Sequence, residues 1–195
     1  MKCSRYALAF VSIILLVVLS LPANALCKKA IIKDVVVTNT PKDLLVYFSV
    51  EGCFTKKMEE AILNGISTTF TFFINLYHPR SFWFDKTLAT VTVRHTVVYN
   101  NLRNEFTVTL NSKDKKEVIL KDFLEAKKAM AEVDGITVIP MSSLKKNNKY
   151  YVRIKAKLDP IRLPFFLDYV LFFVSLWDFE TDWYTELFIY GLSPN

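Results

Sequence analysis

Three stretches of the chain alternate apolar and polar residues with a period of two, a pattern that suits a β-sheet with one buried face and almost nothing else. Thr68–Tyr77 places Phe70, Phe72, Ile74 and Leu76 on one side and Thr69, Thr71, Phe73 and Asn75 on the other. In Lys86–Tyr99, Ala89, Val91, Val93 and Val97 oppose Thr90, Thr92, Arg94 and Thr96, and in Tyr150–Leu158, Tyr150, Val152, Ile154 and Ala156 oppose Arg153, Lys155 and Lys157. Two further β-branched runs, Ala30–Asn39 and Leu44–Val50, flank the turn composition Thr40-Pro41-Lys42-Asp43 and predict a hairpin. A second hairpin is expected where Asn100-Asn101 turns the chain into Glu105–Leu110.

Helical spacing is confined to short segments. Thr55 is placed to cap a helix whose Met58, Ala61 and Ile62 share a face, with Gly65 closing it. Asp122 and Glu125 resemble a capping box, and Phe123, Ala126, Met130 and Val133 recur at helical spacing before Gly135, which we read as the C-cap. Leu163–Trp177 suits either a buried helix begun by Pro164 or a fully buried strand, and we read it as a helix. Asp178–Tyr190 reads as a closing strand with Phe179, Thr181, Trp183, Thr185 and Leu187 on one side. The fold class expected is α+β: a mainly antiparallel, twisted sheet or sandwich covered by two or three helices, in one domain.

The first 25 residues stand apart. Lys2 and Arg5 precede the apolar run Tyr6–Leu21, and Ala23-Asn24-Ala25 offers a small-x-small cleavage pattern, so residues 1–25 read as a signal peptide and 26–195 as a single exported domain. As a helix the run would span about 24 Å, short of the roughly 30 Å hydrocarbon core, which makes a retained inner-membrane anchor the alternative. Bulky Leu26 ahead of Cys27 excludes a lipoprotein site. Periplasm or cell envelope is the expected location.

Without Lys2 and Arg5, 23 of the 25 basic residues remain against 19 acidic ones, a net charge of +4. Its excess sits in local runs such as Lys113–Lys116 and Lys145–Lys149 that look like solvated turns, so no nucleic-acid partner is expected. His78 and His95 have no spaced ligand or nucleophile around them, and His95 shares a side with Val93 and Val97, as a core imidazole with one hydrogen bond would. Asp178, Glu180, Asp182 and Glu186 form the one carboxylate group whose spacing could suit glycosidase or hard-cation chemistry, and a solvated strand face explains it better. Four scattered glycines cannot build a phosphate-cradling loop. The expectation is a chain with no catalytic residue, no cofactor and no metal.

Aromatic content near the C-terminus is the stronger signal. Beyond what the core needs, Phe172, Phe173, Trp177, Trp183 and Tyr184 are candidates for an exposed contact surface. Cys27 and Cys53 lie equally far either side of Thr40, so a hairpin centred there would set them opposite each other. The register one residue over, with Val37 against Leu44, matches the apolar residues better and separates them. No stable disulfide is expected.

The order of Leu158-Asp159-Pro160, Leu163-Pro164, Trp177-Asp178 and Trp183 after the Tyr150–Leu158 strand, with Arg94–Tyr99 leading to Phe106 and Ile62–Gly65 ahead of a Phe-rich strand, resembles the exported bacterial family called domain of unknown function 4390. The resemblance spans nearly all of the chain after the signal segment. It implies a small envelope protein of Gram-negative type and carries no activity with it. The function expected is a non-enzymatic module that binds an envelope protein or the membrane surface, with a periplasmic carrier of a lipid or other amphiphile as the alternative.

Overall fold

A computed structural model describes residues 29–82, 84–111, 115–159 and 179–191. Nine strands and two α-helices are defined there: β1 (Ile31–Asn39), β2 (Asp43–Glu51), α1 (Lys56–Leu63), β3 (Thr68–His78), β4 (Lys86–Asn100), β5 (Glu105–Asn111), β6 (Lys115–Leu120), α2 (Phe123–Ala131), β7 (Glu132–Pro140), β8 (Lys149–Leu158) and β9 (Tyr184–Ile189). They form a three-stranded sheet, β1-β2-β7, and a six-stranded sheet, β6-β5-β4-β3-β8-β9. Every pairing is antiparallel. The fold is α+β and mainly antiparallel.

The alternating strands build the centre of the large sheet. Phe70, Phe72, Ile74 and Leu76 of β3 are fully buried, as are Val93 of β4 and Val152, Ile154 and Ala156 of β8. Val46, Phe48 and Val50 of β2 are buried in the same core, with Met58 and Ile62 of α1 and Met130 of α2. Both helices begin as their caps dictate: the Thr55 hydroxyl accepts from the Met58 amide at 3.2 Å and the Asp122 carboxylate from the Glu125 amide at 2.9 Å.

Several sequence expectations are corrected. The first hairpin turns on Thr40–Lys42, where the Thr40 hydroxyl accepts from the amides of Lys42 and Asp43. Asn39 therefore pairs with Leu44 and Val37 with Val46, so neither register considered from the sequence is the one formed. The register slips by one between Lys33 and Val36, where Asp34 adopts φ 53°. This bulge brings Ile32 and Val37, five apart, to the same buried side.

Gly135 does not cap α2. That helix stops at Ala131, and Val133 and Gly135 belong to β7, a strand the helical spacing conceals. Gly135 takes φ 66° where the β2–β7 register shifts. Strand β6 also departs from expectation, because its Lys115 and Lys116 have the composition of a solvated turn; both are exposed, on an edge strand. At the C-terminal end the face changes sides. Phe179 and Thr181 are buried, but Thr185 and Leu187 are exposed, because Lys157 bridges to Glu180 while Ile154 pairs with Tyr184, an irregularity of one residue around Asp182-Trp183. The stretch read as a helix, Leu163–Trp177, lies outside the described residues, as do residues 1–28.

Candidate functional site

The face of the large sheet turned away from the core is not a plain solvated surface. Its cross-strand pairs are Thr71 with Arg94 and Lys157, Phe73 with Lys155, Asn75 with Arg153, and Tyr77 with Tyr151. Alternate residues of β8 thus set three cations in a row, about 6.6 Å apart, beside the aromatic residues of β3. Trp183, in the segment leading into β9, lies against this row. The Arg153 guanidinium is 4.9 Å from its ring centroid and the Lys155 ammonium 5.5 Å. Lys157 sits 5.4 Å over the Phe73 ring, and Tyr77 stacks on Tyr151 at 5.1 Å.

The carboxylates on this face serve individual partners. Asp159 accepts from the Thr71 hydroxyl at 2.6 Å and lies 3.6 Å from Arg94. Glu180 pairs with Lys155, whose hydrogen bond and charge hold its carboxyl below the usual range. Asp85 accepts from the Tyr151 hydroxyl at 2.5 Å and from the Arg80 amide, which lower its pKa, while desolvation and the same bond push the Tyr151 phenol up to about 12. Arg153 and Lys157 have no ion-pair partner among the described residues. Beneath them the Asn75 Oδ1 is buried and, among the described residues, accepts no hydrogen bond.

Of the residues expected at a contact surface, Trp183 is 38% exposed and belongs to this face. Tyr184 does not join it: it pairs with the core-facing Ile154, is half-buried, and its hydroxyl donates to Glu186 at 2.8 Å. Phe172, Phe173 and Trp177 lie outside the described residues. The carboxylates singled out from the sequence do not converge, since Glu180 engages Lys155, Asp182 engages Lys29 at 2.6 Å and Glu186 engages Tyr184; Asp178 is not among the described residues. His78 and His95 each donate from Nδ1 to a main-chain carbonyl, Lys149 and Met130 respectively, both at 3.2 Å. Among the described residues no three His, Cys, Asp or Glu side chains are grouped as metal ligands, and no helix is long and apolar enough to cross a membrane.

Sequence reasoning missed the cations and aromatics around Trp183 as a group. The Arg153, Lys155 and Lys157 alternation was visible, but which strand lies beside it was not.

Residues 28–186 match the family model described as Domain of unknown function (DUF4390). The chain belongs to the DUF4390 family. Neither a curated protein nor a solved structure matches it.

This DUF4390 chain has a second surface feature, on the far side of β9. A groove of about 730 Å³ runs between the small sheet and the large one, lined by residues 35–39 of β1, by Leu44, Met141 and Lys149, and by residues 186–191 in and after β9. Its size is in the range of small-ligand sites, and most of its lining is apolar.

Proposed function

We propose that this DUF4390 protein is a non-enzymatic interaction module of the cell envelope, exported with residues 1–25 removed and folded as one domain from residue 26. The observation that supports this most is the exposed Trp183 indole against Arg153 and Lys155, on a face where Arg153 and Lys157 have no ion-pair partner among the described residues. An amphipathic ring flanked by cations suits the headgroup layer of an anionic membrane, where the ring inserts and the cations meet lipid phosphates. A protein partner for the same face is the other outcome that the experiment separates. We also take the two sheets to form a sandwich, because Phe48 of β2 meets Phe72 of β3 across the core, with α1 and α2 as its cover.

The test is cosedimentation of the chain starting at Leu26 with vesicles of phosphatidylglycerol and phosphatidylcholine, or of phosphatidylcholine alone. Binding is expected to the anionic vesicles only, to weaken with salt, and to fall at least fivefold in Trp183→Ser and in the double variant Arg153→Gln/Lys157→Gln, each with unchanged circular dichroism. No binding by the parent chain, or equal binding to both vesicles, overturns the membrane reading; capture of one protein by the parent chain and not by Trp183→Ser then assigns the face to that partner. The N-terminal residue of the chain recovered from the envelope tests the cleavage, because an intact Met1 favours the retained anchor.

The groove favours a second reading, a carrier of a lipid or other amphiphilic ligand. A lipid that repeatedly accompanies the gently extracted protein, seen by native mass spectrometry, supports it, and its absence rejects it.

A further inference from the structure

We propose that the groove receives an extended segment of a protein partner, which adds to β1 as a further strand. The lining itself points to this. Five consecutive residues of β1, Val35 to Asn39, border the groove, and so do six consecutive residues from Glu186 to Gly191. Successive residues of a strand point to opposite faces, so an unbroken run can line one space only if the strand presents its edge to it. Among the described residues β1 pairs with β2 alone and β9 with β8 alone, so each is the last strand of its sheet on the groove side. Two strand edges face one space.

Natural sheets normally blunt such edges with charge, proline or a bulge. β1 does so only in its first half, through the Asp34 bulge and through Lys33, which is paired to Glu51 at 2.8 Å. The half that borders the groove, Val35–Asn39, carries no charge, and its Val36 is 53% exposed. Across the groove Leu187 is 69% exposed. The undefended half of β1 is therefore the half that borders the groove, opposite a β9 stretch that keeps one charge, Glu186, and five residues of β1 at about 3.3 Å each would pair over roughly 16 Å, the length of an ordinary short strand. Main-chain bonds to β1 would supply affinity, and alternate apolar side chains meeting Val35, Val37 and Leu44 would supply preference, which is how added strands are recognised. The occupant is an extended segment with apolar residues at every second position and no proline in its centre.

A random 12-residue peptide library displayed on phage and selected on the chain starting at Leu26 tests this without any membrane, so its outcome is independent of the role given to Trp183. The expected result is enrichment of alternating apolar sequences lacking central proline. The best synthetic peptide should bind at least tenfold more weakly to Val36→Lys and to Leu187→Lys, both at exposed positions where circular dichroism reports retained folding. Its affinity should stay within twofold for Ile119→Lys on β6, an edge that does not border the groove. Two copies of the peptide are N-methylated at alternate amides, one at odd and one at even positions; the copy methylated at the amides that face β1 should lose binding. No enrichment, undiminished binding of both methylated copies, or indifference to both groove variants overturns the proposal. So does a stoichiometric lipid displaced from the groove, a dimer of this chain abolished by Val36→Lys, or a crosslink from Val36→Cys that lands within the same molecule.

Discussion

Phe48 of the small sheet meets Phe72 of the large one edge to face, with ring centroids 5.6 Å apart and planes at 72°. Phe72 also receives the His95 ring at 5.0 Å, so one side chain joins β2, β3 and β4. Phe72→Ala removes a fully buried ring from a site bounded by strands on two sides that cannot easily collapse, and is expected to cost about 3–5 kcal/mol. In a double-mutant cycle with Phe48→Ala, followed by urea denaturation, the two losses should fall short of additive by about 0.5–1.5 kcal/mol. Additive losses would show that the ring contact does not couple the sheets.

Gly135 packs its backbone against Tyr47, and a β-carbon there would lie 3.0 Å from the Tyr47 hydroxyl oxygen. Its φ of 66° disfavours any side chain by about 1–2 kcal/mol. Gly135→Ala is therefore expected to lower stability by more than that amount, since the close approach to Tyr47 adds to the backbone cost, and the double variant Gly135→Ala/Tyr47→Leu to recover only the part due to the close approach. Full recovery in the double variant would assign the cost to the tyrosine and not to the backbone.

These two positions also show where reading the sequence ran out. The centre of the large sheet was legible because β3, β4 and β8 each bury one face, so alternation survives in every one of them. β7 was hidden because Met130 and Val133 prolong the helical spacing of α2, and a glycine after such a run looks like its cap. Only the β2–β7 register shift reveals that Gly135 belongs to a bulge. The register of the first hairpin was illegible for another reason: the loop closes on Thr40–Lys42, so pairing starts at Asn39–Leu44, two residues from the register that apolar matching preferred, and the Asp34 bulge adds a slip of one further along. At the candidate site, the exposure of Trp183 was legible. Its companions were not, because Phe73, Tyr77 and Arg153 come together only through the pairing of β3 with β8, which joins residues about 80 positions apart.

Cys53 gives a chemical check on the first hairpin. Its thiol is buried just after β2 and donates to the Val50 carbonyl at 3.4 Å, and desolvation pushes its pKa up to about 12. Thiolate, the reactive form, is therefore scarce at neutral pH. Iodoacetamide is expected to leave Cys53 unmodified in the folded chain and to alkylate it fully in urea, as read by peptide mass mapping. The observed register, carried two residues past the Ile31–Glu51 pair, would set Lys29 and not Cys27 against Cys53. A mapped Cys27–Cys53 disulfide would contradict that register.

The most informative pH experiment concerns His95, which is buried within the core face of β4. A carbonyl oxygen only accepts, so Nδ1 carries the proton donated to Met130, and the neutral ring leaves Nε2 bare. Protonating that second nitrogen would place a charge inside the core, and desolvation accordingly lowers the pKa below its ordinary value, outweighing the opposing main-chain hydrogen bonds. The sign follows from linkage. With the folded pKa below the unfolded one of about 6.5, the unfolded chain takes up the proton first as pH falls. The contribution of the neutral ring is therefore fully present above about pH 6.5 and is lost as pH drops from there toward the depressed folded value. His95→Leu keeps an apolar group of similar size, gives up the bond to Met130, and has nothing to titrate. Urea midpoints measured from about pH 7.5 down to about pH 5 should show the parent chain ahead of His95→Leu at the upper end, with the gap narrowing below about pH 6.5. Carboxylate titrations common to both chains cancel in that difference. A gap that stays constant as pH falls would mean that His95 accepts its second proton in the folded chain as readily as in the unfolded one, and a gap that widens that it does so more readily.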